Sequence, residues 1–233
     1  MKAMDMLEKL RNSPLVVFRI SDLCRILGKS KAYTSLYLYR LKRRGYIHGV
    51  EKGKYALKDS NVYAVASNIV SPSYISFISA LSYYKITTQL PNKIIVVSPK
   101  SKKPIRFEGY DILFVKFDAK KIFGVQKESS KNKQIFIGKI EKVIVDSLYL
   151  PEYCPIDETR NAMHEADTGS IVDYAKKMGS IVLLKRIGFL LEKEGKDTFN
   201  KIKSRLNRRY DLLNPYSPAK GVKNEKWRLI INE

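Results

Sequence analysis

The chain has 233 residues, of which 44% are hydrophobic, so it is long enough for one or two domains with apolar cores. It carries 44 Lys and Arg residues against 23 Asp and Glu residues, and its net charge of +21 favours an anionic partner. The two cysteines, Cys24 and Cys154, are too far apart in sequence to indicate a disulfide framework or a zinc site. No apolar run approaches the length of a membrane-spanning helix, and the first residues do not resemble a signal peptide. We therefore expect a cytoplasmic protein.

The first 57 residues predict a helix, a short strand, two further helices and a β-hairpin, in that order. The predicted elements are a helix over residues 2–11, a strand over 16–20, a helix capped by Ser21 and closed by Gly28, a helix over 29–44 and a hairpin over 46–57. Two helices joined by a turn that contains glycine, and followed by a hairpin, are typical of a winged helix-turn-helix. The sequence therefore predicts a DNA-binding domain over residues 1–57. The alternative is a winged helix that contacts proteins.

The predicted helix over residues 29–44 has two chemically different faces. Thr34, Leu38 and Leu41 follow helical spacing and predict the buried face, with Ser30 as the cap and Gly45 as the stop. The opposite face suits a DNA groove, because basic side chains neutralise phosphates and arginine reaches base edges. The candidate DNA-binding residues are Lys29, Ser30, Lys31, Tyr33, Tyr37, Arg40 and Arg43 on or beside this helix, and Lys52 and Lys54 at the hairpin tip.

Two alternatives remain open for this helix. Leu36 also falls on its outer face, where an apolar side chain needs a thymine methyl group or a protein neighbour. The helix is therefore either placed as described or rotated, with Tyr37 turned inward. Apart from its rotation, the segment can also be an ordinary solvated helix without a nucleic-acid partner.

Residues 58–70 are predicted to connect this domain to a mixed α/β domain over residues 71–233. The first part of that domain predicts a helix over 71–84, strands over 94–97, 105–107, 112–117, 122–125 and 135–137, a polar spacer over 126–133 and a helix over 138–149. The last part predicts helices over 157–165, 170–177 with Ser170 as cap, 181–194 and 198–207, and a final strand over 227–231 that joins the sheet of the middle region. The fold class is therefore α+β, with a small sheet and a C-terminal helical part.

Three charged features outside the predicted DNA-binding helix have structural interpretations. Glu141 and Asp146 do not share a helical face, so we expect Glu141 to form a buried pair with a Lys or Arg, not a catalytic dyad. The basic run over residues 201–209 is either a solvated helix face, which we favour, or a second anion-binding surface. His48 lies beside the hairpin without a ligand partner nearby in sequence, so we expect an exposed or structural histidine.

Several blocks of the sequence resemble the AbiEi-type antitoxins, which are winged-helix regulators of abortive-infection operons. The blocks are YISFISALSYY at 74–84 with ITTQLP at 86–91, KIEKVIVDSLY at 139–149, LLKRIGFLLE at 183–192 and WRL at 227–229. The resemblance covers nearly the whole chain. It implies an antitoxin that binds duplex DNA and represses its own promoter, with a nucleotidyltransferase-like toxin from the same operon as functional partner. The resemblance leaves open whether the two proteins touch.

The sequence contains none of the motifs expected of an enzyme of known type. Its glycines form no phosphate-cradling loop, its His and Cys residues lack metal-ligand spacing, and no Asp-x-Asp follows its Gly-Ser pairs. We therefore expect no catalytic residues, no cofactor and no metal. Two alternatives to an antitoxin are a winged-helix regulator whose second domain senses a ligand or contacts a protein, and a nucleic-acid-processing enzyme with a scattered site.

Overall fold

The computed structural model describes residues 3–89, 92–130 and 132–232, which form an α+β fold. Contacts divide the chain into two units. The first unit contains residues 1–75, 92–117 and 126–137, and the second contains residues 76–91, 118–125 and 138–233. The domain limits predicted at residues 57 and 71 stay a prediction. Within the described ranges, the helices fall short of the length and apolarity that crossing a membrane requires.

Three helices open the first unit: α1 (Ala3–Asn12), α2 (Ile20–Leu27) and α3 (Lys31–Arg43). Their apolar faces meet in one core because each helix repeats apolar residues at helical spacing. The buried core residues are Met6, Leu7, Leu10, Phe18, Leu23, Leu27, Leu38, Leu41, Ile47 and Leu57. Gly28 has a φ of +61°, which lets the chain turn from α2 into α3. The three predicted helices are confirmed, although Lys2 lies outside the described residues.

A hairpin of β1 (Ile47–Glu51) and β2 (Lys54–Leu57) follows α3, as predicted. The strand predicted over residues 16–20 is wrong, because Phe18 makes only a single bridge, to Tyr55 of β2. Helix α2 begins at Ile20, since the Asp22 carboxylate accepts the Arg19 N–H at 2.8 Å and stabilises the first turn. The predicted Ser21 cap is therefore also wrong.

A six-stranded sheet forms the second half of the first unit, with strand order β5-β6-β4-β3-β8-β7. Its strands are β3 (Tyr74–Ile75), β4 (Lys93–Ser98), β5 (Ile105–Phe107), β6 (Tyr110–Lys116), β7 (Val125–Ser130) and β8 (Lys133–Gly138). Strands β4 and β6 are parallel and pair from Lys93↔Asp111 to Ser98↔Lys116. The strands predicted over 94–97, 105–107, 112–117 and 135–137 are confirmed.

Two predictions for this part of the chain are wrong, and a third segment contains an unpredicted helix. Residues 74 and 75 are a strand and not helix, because they pair with both β4 and β8. The strand predicted over 122–125 is wrong, because strand β7 starts only at Val125. It continues to Ser130, through most of the segment predicted as a polar spacer. Lys131 of that segment lies outside the described residues. The predicted connection over 58–70 contains a helix, α4 (Val62–Asn68), which Asn61 caps.

The second unit is mainly helical and also contains a three-stranded sheet of order β10-β11-β9. Its helices are α5 (Phe77–Tyr83), α6 (Ile140–Tyr149), α7 (Ile156–Met163), α8 (Thr168–Met178), α9 (Ile181–Lys193) and α10 (Phe199–Ile202), and its strands are β9 (Asp211–Leu212), β10 (Val222–Asn224) and β11 (Leu229–Ile231). The helices predicted over 138–149, 157–165, 170–177 and 181–194 are confirmed in outline.

Three details of the second unit differ from prediction. Asp167 caps α8, in place of Ser170, because its carboxylate accepts the Ser170 N–H at 2.7 Å. The basic helix predicted over 198–207 ends at Ile202 and is followed by a 3₁₀ turn. The final strand pairs with β9 and β10 of the small sheet, and so does not join the sheet of the middle region.

An ion pair is buried inside the second unit. Lys142 and Asp146 lie one turn apart in α6, have no exposed side-chain surface and bind each other through Nζ and Oδ1. The second carboxylate oxygen of Asp146 accepts the Ser76 hydroxyl at 2.8 Å. Burial lowers the pKa of Lys142, while the Asp146 charge raises it in part. The prediction that Glu141 forms the buried pair is wrong, because the Glu141 carboxylate accepts the Asp167 N–H at 3.4 Å instead.

We expect Asp146→Ala to lower the free energy of unfolding by about 3–5 kcal/mol, because it leaves the Lys142 ammonium buried without its carboxylate. Urea unfolding followed by circular dichroism measures the change. The double variant Lys142→Met/Asp146→Leu removes both charges and should recover most of the loss. The control is Asp173→Ala, which breaks an exposed 3.6 Å pair with Lys176 and should cost less than about 1 kcal/mol. Equal losses for Asp146→Ala and Asp173→Ala would contradict the prediction.

Candidate nucleic-acid interface

The amino-terminal end of α3 is fixed by Ser30. The Ser30 hydroxyl accepts the Tyr33 N–H at 3.4 Å, and the Ser30 carbonyl accepts the Thr34 hydroxyl at 2.9 Å. The predicted cap is therefore confirmed. Lys29 and Lys31 are exposed at this end, where the N–H groups of the first turn add a partial positive charge. This end of the helix suits a phosphate group.

The rotation of α3 is set by its buried face. Thr34, Leu38 and Leu41 are buried, as predicted, and Leu41 has no exposed surface. This rotation brings Arg40 and Arg43 to the surface. The outer face of α3 is therefore cationic along its second half.

Two exposed apolar or aromatic residues share the outer face with the arginines. Leu36 is 48% exposed and Tyr39 is 59% exposed. Tyr39 was not among the predicted site residues, although the sequence holds the signal for it. It follows Leu36 by three positions and precedes Arg43 by four, so helical spacing alone puts it on this face. The outer face thus offers arginine, tyrosine and leucine side chains together.

A short stack of side chains runs along one edge of this face. The rings of Tyr33 and Tyr37 stack with centroids 4.6 Å apart, and the Arg40 guanidinium lies 5.6 Å from the Tyr37 ring centroid. Tyr37 is half-buried against the core, as the rotated alternative expected, whereas Leu36 remains exposed. A hydrogen bond with Tyr37 raises the pKa of Tyr33. The stack restricts Arg40 and so reduces the entropy lost when that side chain binds.

The two lysines predicted at the hairpin tip have different surroundings. Lys52 is exposed in the two-residue turn between β1 and β2. Lys54 is half-buried, donates to the Ile69 carbonyl at 2.6 Å and pairs with Glu51 at 2.7 Å. The other carboxylate oxygen of Glu51 pairs with Lys102, from the loop before β5. Of the two lysines, Lys52 is therefore the one with its ammonium open to a ligand.

The Glu51 carboxylate sits between two cations, which stabilise its charged form. Partial burial raises the pKa of Glu51, but hydrogen bonds from Lys102 and Lys54 outweigh it and lower the pKa below its ordinary value. On the same hairpin, His48 is partly exposed and pairs with Glu108, which agrees with the structural role predicted for it.

No model of a known protein family matches this chain, and no curated protein sequence matches it. Among the described residues, no group of three or more His, Cys, Asp and Glu side chains has an arrangement that would hold a metal ion.

We expect Glu51→Gln to lower the thermal unfolding midpoint at pH 7 by a few degrees, corresponding to about 1 kcal/mol or less for a partly exposed pair. Because folding lowers the pKa of Glu51 from its ordinary 4.5, its ion pairs add stability above that pH and lose it as pH falls through the folded value. The gap between wild type and variant should therefore close in acid. Calorimetry from pH 7 to pH 3, with the exposed Glu165→Gln as control, measures this. A gap that is independent of pH would contradict it.

Proposed function

We propose that this chain is a DNA-binding transcriptional regulator in which α3 enters the major groove and the β1–β2 hairpin acts as the wing of a winged helix-turn-helix. The observation that carries this proposal is the outer face of α3, where Arg40 and Arg43 are exposed beside Tyr39 and Leu36. A helix of this width fits the major groove, and these side chains match the base edges and methyl groups found there.

The charge of the chain supports a phosphate-rich partner. The net charge is +21, and residues 1–57 alone carry 13 Lys and Arg against 4 Asp and Glu. Cations that neutralise phosphates release counterions from DNA, so much of the affinity is electrostatic and falls with salt. The exposed lysines at the first turn of α3 lie where a helix terminus favours a phosphate.

The side chains of the interface divide into two roles. Arg40 and Arg43 point outward from the helix that would enter the groove, so they are candidates for base contacts. Lys52 lies in the turn of the hairpin and would meet phosphates, which carry no direct sequence information. Lys54 takes little part in this scheme, because Glu51 and the Ile69 carbonyl already bind its ammonium group.

We also propose that the chain is an antitoxin that represses its own promoter in the cytoplasm. The support for this step is the resemblance of residues 74–91, 139–149 and 183–192 to AbiEi-type antitoxins. The functional partner is a nucleotidyltransferase-like toxin of the same operon, and the chain itself is not an enzyme. Direct contact with the toxin is not part of the proposal.

We expect Arg40→Ala to reduce the preference for a selected duplex over a scrambled one by about tenfold, because a bidentate arginine–guanine pair contributes about 1–3 kcal/mol. We expect Lys52→Ala to weaken both duplexes equally and to lower the slope of log affinity against log salt by about one. The selected duplex is obtained from a random library with the wild-type chain. Fluorescence anisotropy over a salt series measures both effects.

The matched control for these variants is Lys203→Ala, which removes an exposed lysine of the second unit and changes the net charge equally. It should change the salt slope less than Lys52→Ala does. Equal loss on both duplexes for Arg40→Ala would show that Arg40 binds backbone. No effect from Arg40→Ala or Lys52→Ala would contradict the proposed interface.

One variant of the full chain should lose repression of the promoter and keep neutralisation of the toxin. We expect Arg40→Ala/Arg43→Ala to release a promoter reporter at least about tenfold, because each lost base contact weakens operator binding. The same variant should still rescue cells from the co-expressed toxin, because the resembling blocks lie beyond residue 73. Growth and reporter output are measured in the same strains, with Lys203→Ala as control. Loss of rescue by the folded variant would contradict the separation.

A further inference from the structure

The first unit contains a cleft of about 500 Å³ whose lining is mainly polar. Its walls come from the start of α2, strand β2, the chain after α4 and the loop before β5. A volume of this size falls within the range of small-ligand sites, about 300–1,000 Å³. The outer face of α3 does not line it, so the cleft is separate from the proposed base-reading surface.

Positive charge dominates the cleft. Four of its lining residues are cationic, namely Arg19, Lys54, Lys100 and Lys102, and one, Asp22, is acidic. The Asp22 carboxylate already accepts the Arg19 N–H at 2.8 Å and pairs with Arg25 outside the lining. Asp22 therefore offers little to a cation, and the cleft as a whole favours an anion.

Two of these cations are held in place before any ligand arrives. Lys54 is fixed by the Ile69 carbonyl and by Glu51, and Lys102 pairs with the same Glu51 carboxylate and lies 5.9 Å from the Phe114 ring centroid. One carboxylate therefore positions two ammonium groups while neutralising only one charge. Arg19 and Lys100 are exposed and complete the set.

The chemistry of the lining identifies the class of ligand. An apolar ligand does not fit, because only Val17, Ile69 and Val70 contribute apolar side chains. Several cations around one cleft suit a group with more than one negative charge, and the hydroxyls of Ser71 and Ser101 can donate to its oxygens. A phosphate or diphosphate group satisfies both conditions, and the volume leaves room for a small organic part.

We propose that this cleft is a binding site for the phosphate group of a small molecule no larger than about a mononucleotide. This site is independent of the proposed DNA-binding function. A backbone phosphate of DNA has the same chemistry as a free phosphate ester, so the test must tell the two sources apart.

The test is calorimetric titration of the full chain with pyrophosphate at 150 mM NaCl, where weak surface binding of anions is screened. Wild type should bind one equivalent in a saturable manner. Lys100→Ala and Arg19→Gln should each weaken binding about tenfold, because each removes a charge-assisted hydrogen bond to the phosphate oxygens. Lys203→Ala makes the same change in net charge in the second unit and should leave the affinity within about twofold. Unchanged thermal unfolding of each variant without ligand shows that it is folded.

A second arm adds a duplex of the selected sequence at saturating concentration. Pyrophosphate binding that persists in the presence of duplex supports a free small-molecule ligand. Displacement by duplex, together with equal weakening of duplex binding by Lys100→Ala, assigns the phosphate group to DNA and overturns the small-molecule assignment. Absence of saturable binding, or equal weakening by Lys100→Ala and Lys203→Ala, overturns the site itself. Because pyrophosphate is titrated without DNA in the first arm, its failure is distinct from failure of the DNA-binding proposal.

Discussion

Burial of one face of α3 is the constraint on which the proposed interface depends. Leu38 and Leu41 pack into the core that α1, α2 and the hairpin share, and Thr34 is buried beside them. Removing two leucine side chains from water stabilises this rotation by several kcal/mol, at about 1.5–3 kcal/mol each. A half-turn rotation of α3 would instead bury Arg40 and Arg43, and burial of an unpaired charge costs several kcal/mol. The chemistry of the outer face is thus a consequence of packing on the inner face.

A second constraint ties the three-helix segment to the six-stranded sheet within the first unit. Lys133, at the start of β8, donates to the carbonyls of Leu10, Ser13 and Leu15 around the end of α1. These carbonyls lie at and just beyond a helix carboxyl terminus, where a cation is favourable. Burial lowers the pKa of Lys133, and the charge of Asp59 raises it in part. Residues 1–57 are therefore not structurally independent of the strands that follow, and variants of the full chain test their function better than a truncation.

The sequence predicted those parts of the fold that local periodicity determines. The strong helical spacing of α3 and α9 and the apolar run of β4 were sufficient to predict these three elements. Tyr74 and Ile75 were assigned to a helix because their strand exists only through pairing with β4 and β8, which are distant in sequence. The polar segment 126–130 is an edge strand, which is half-exposed and so lacks the apolar signal of a central strand. In the candidate site, Tyr39 was recoverable from spacing, whereas the confinement of Lys54 was not, because it depends on residues 51 and 69 meeting in space.

Glu51 shows how one side chain can divide the cations of the first unit between two surfaces. Without its carboxylate, the ammonium groups of Lys54 and Lys102, which both pair with it, would repel each other. The Glu51 carboxylate and the Ile69 carbonyl both bind the Lys54 ammonium, and of these lysines only Lys52 extends from the turn. The same ion pairs keep two ammonium groups at the cleft wall at fixed positions, where a phosphate would need them. The position of one acidic residue in a basic segment therefore leaves Lys52 extended at the hairpin tip and fixes Lys54 and Lys102 at the cleft wall.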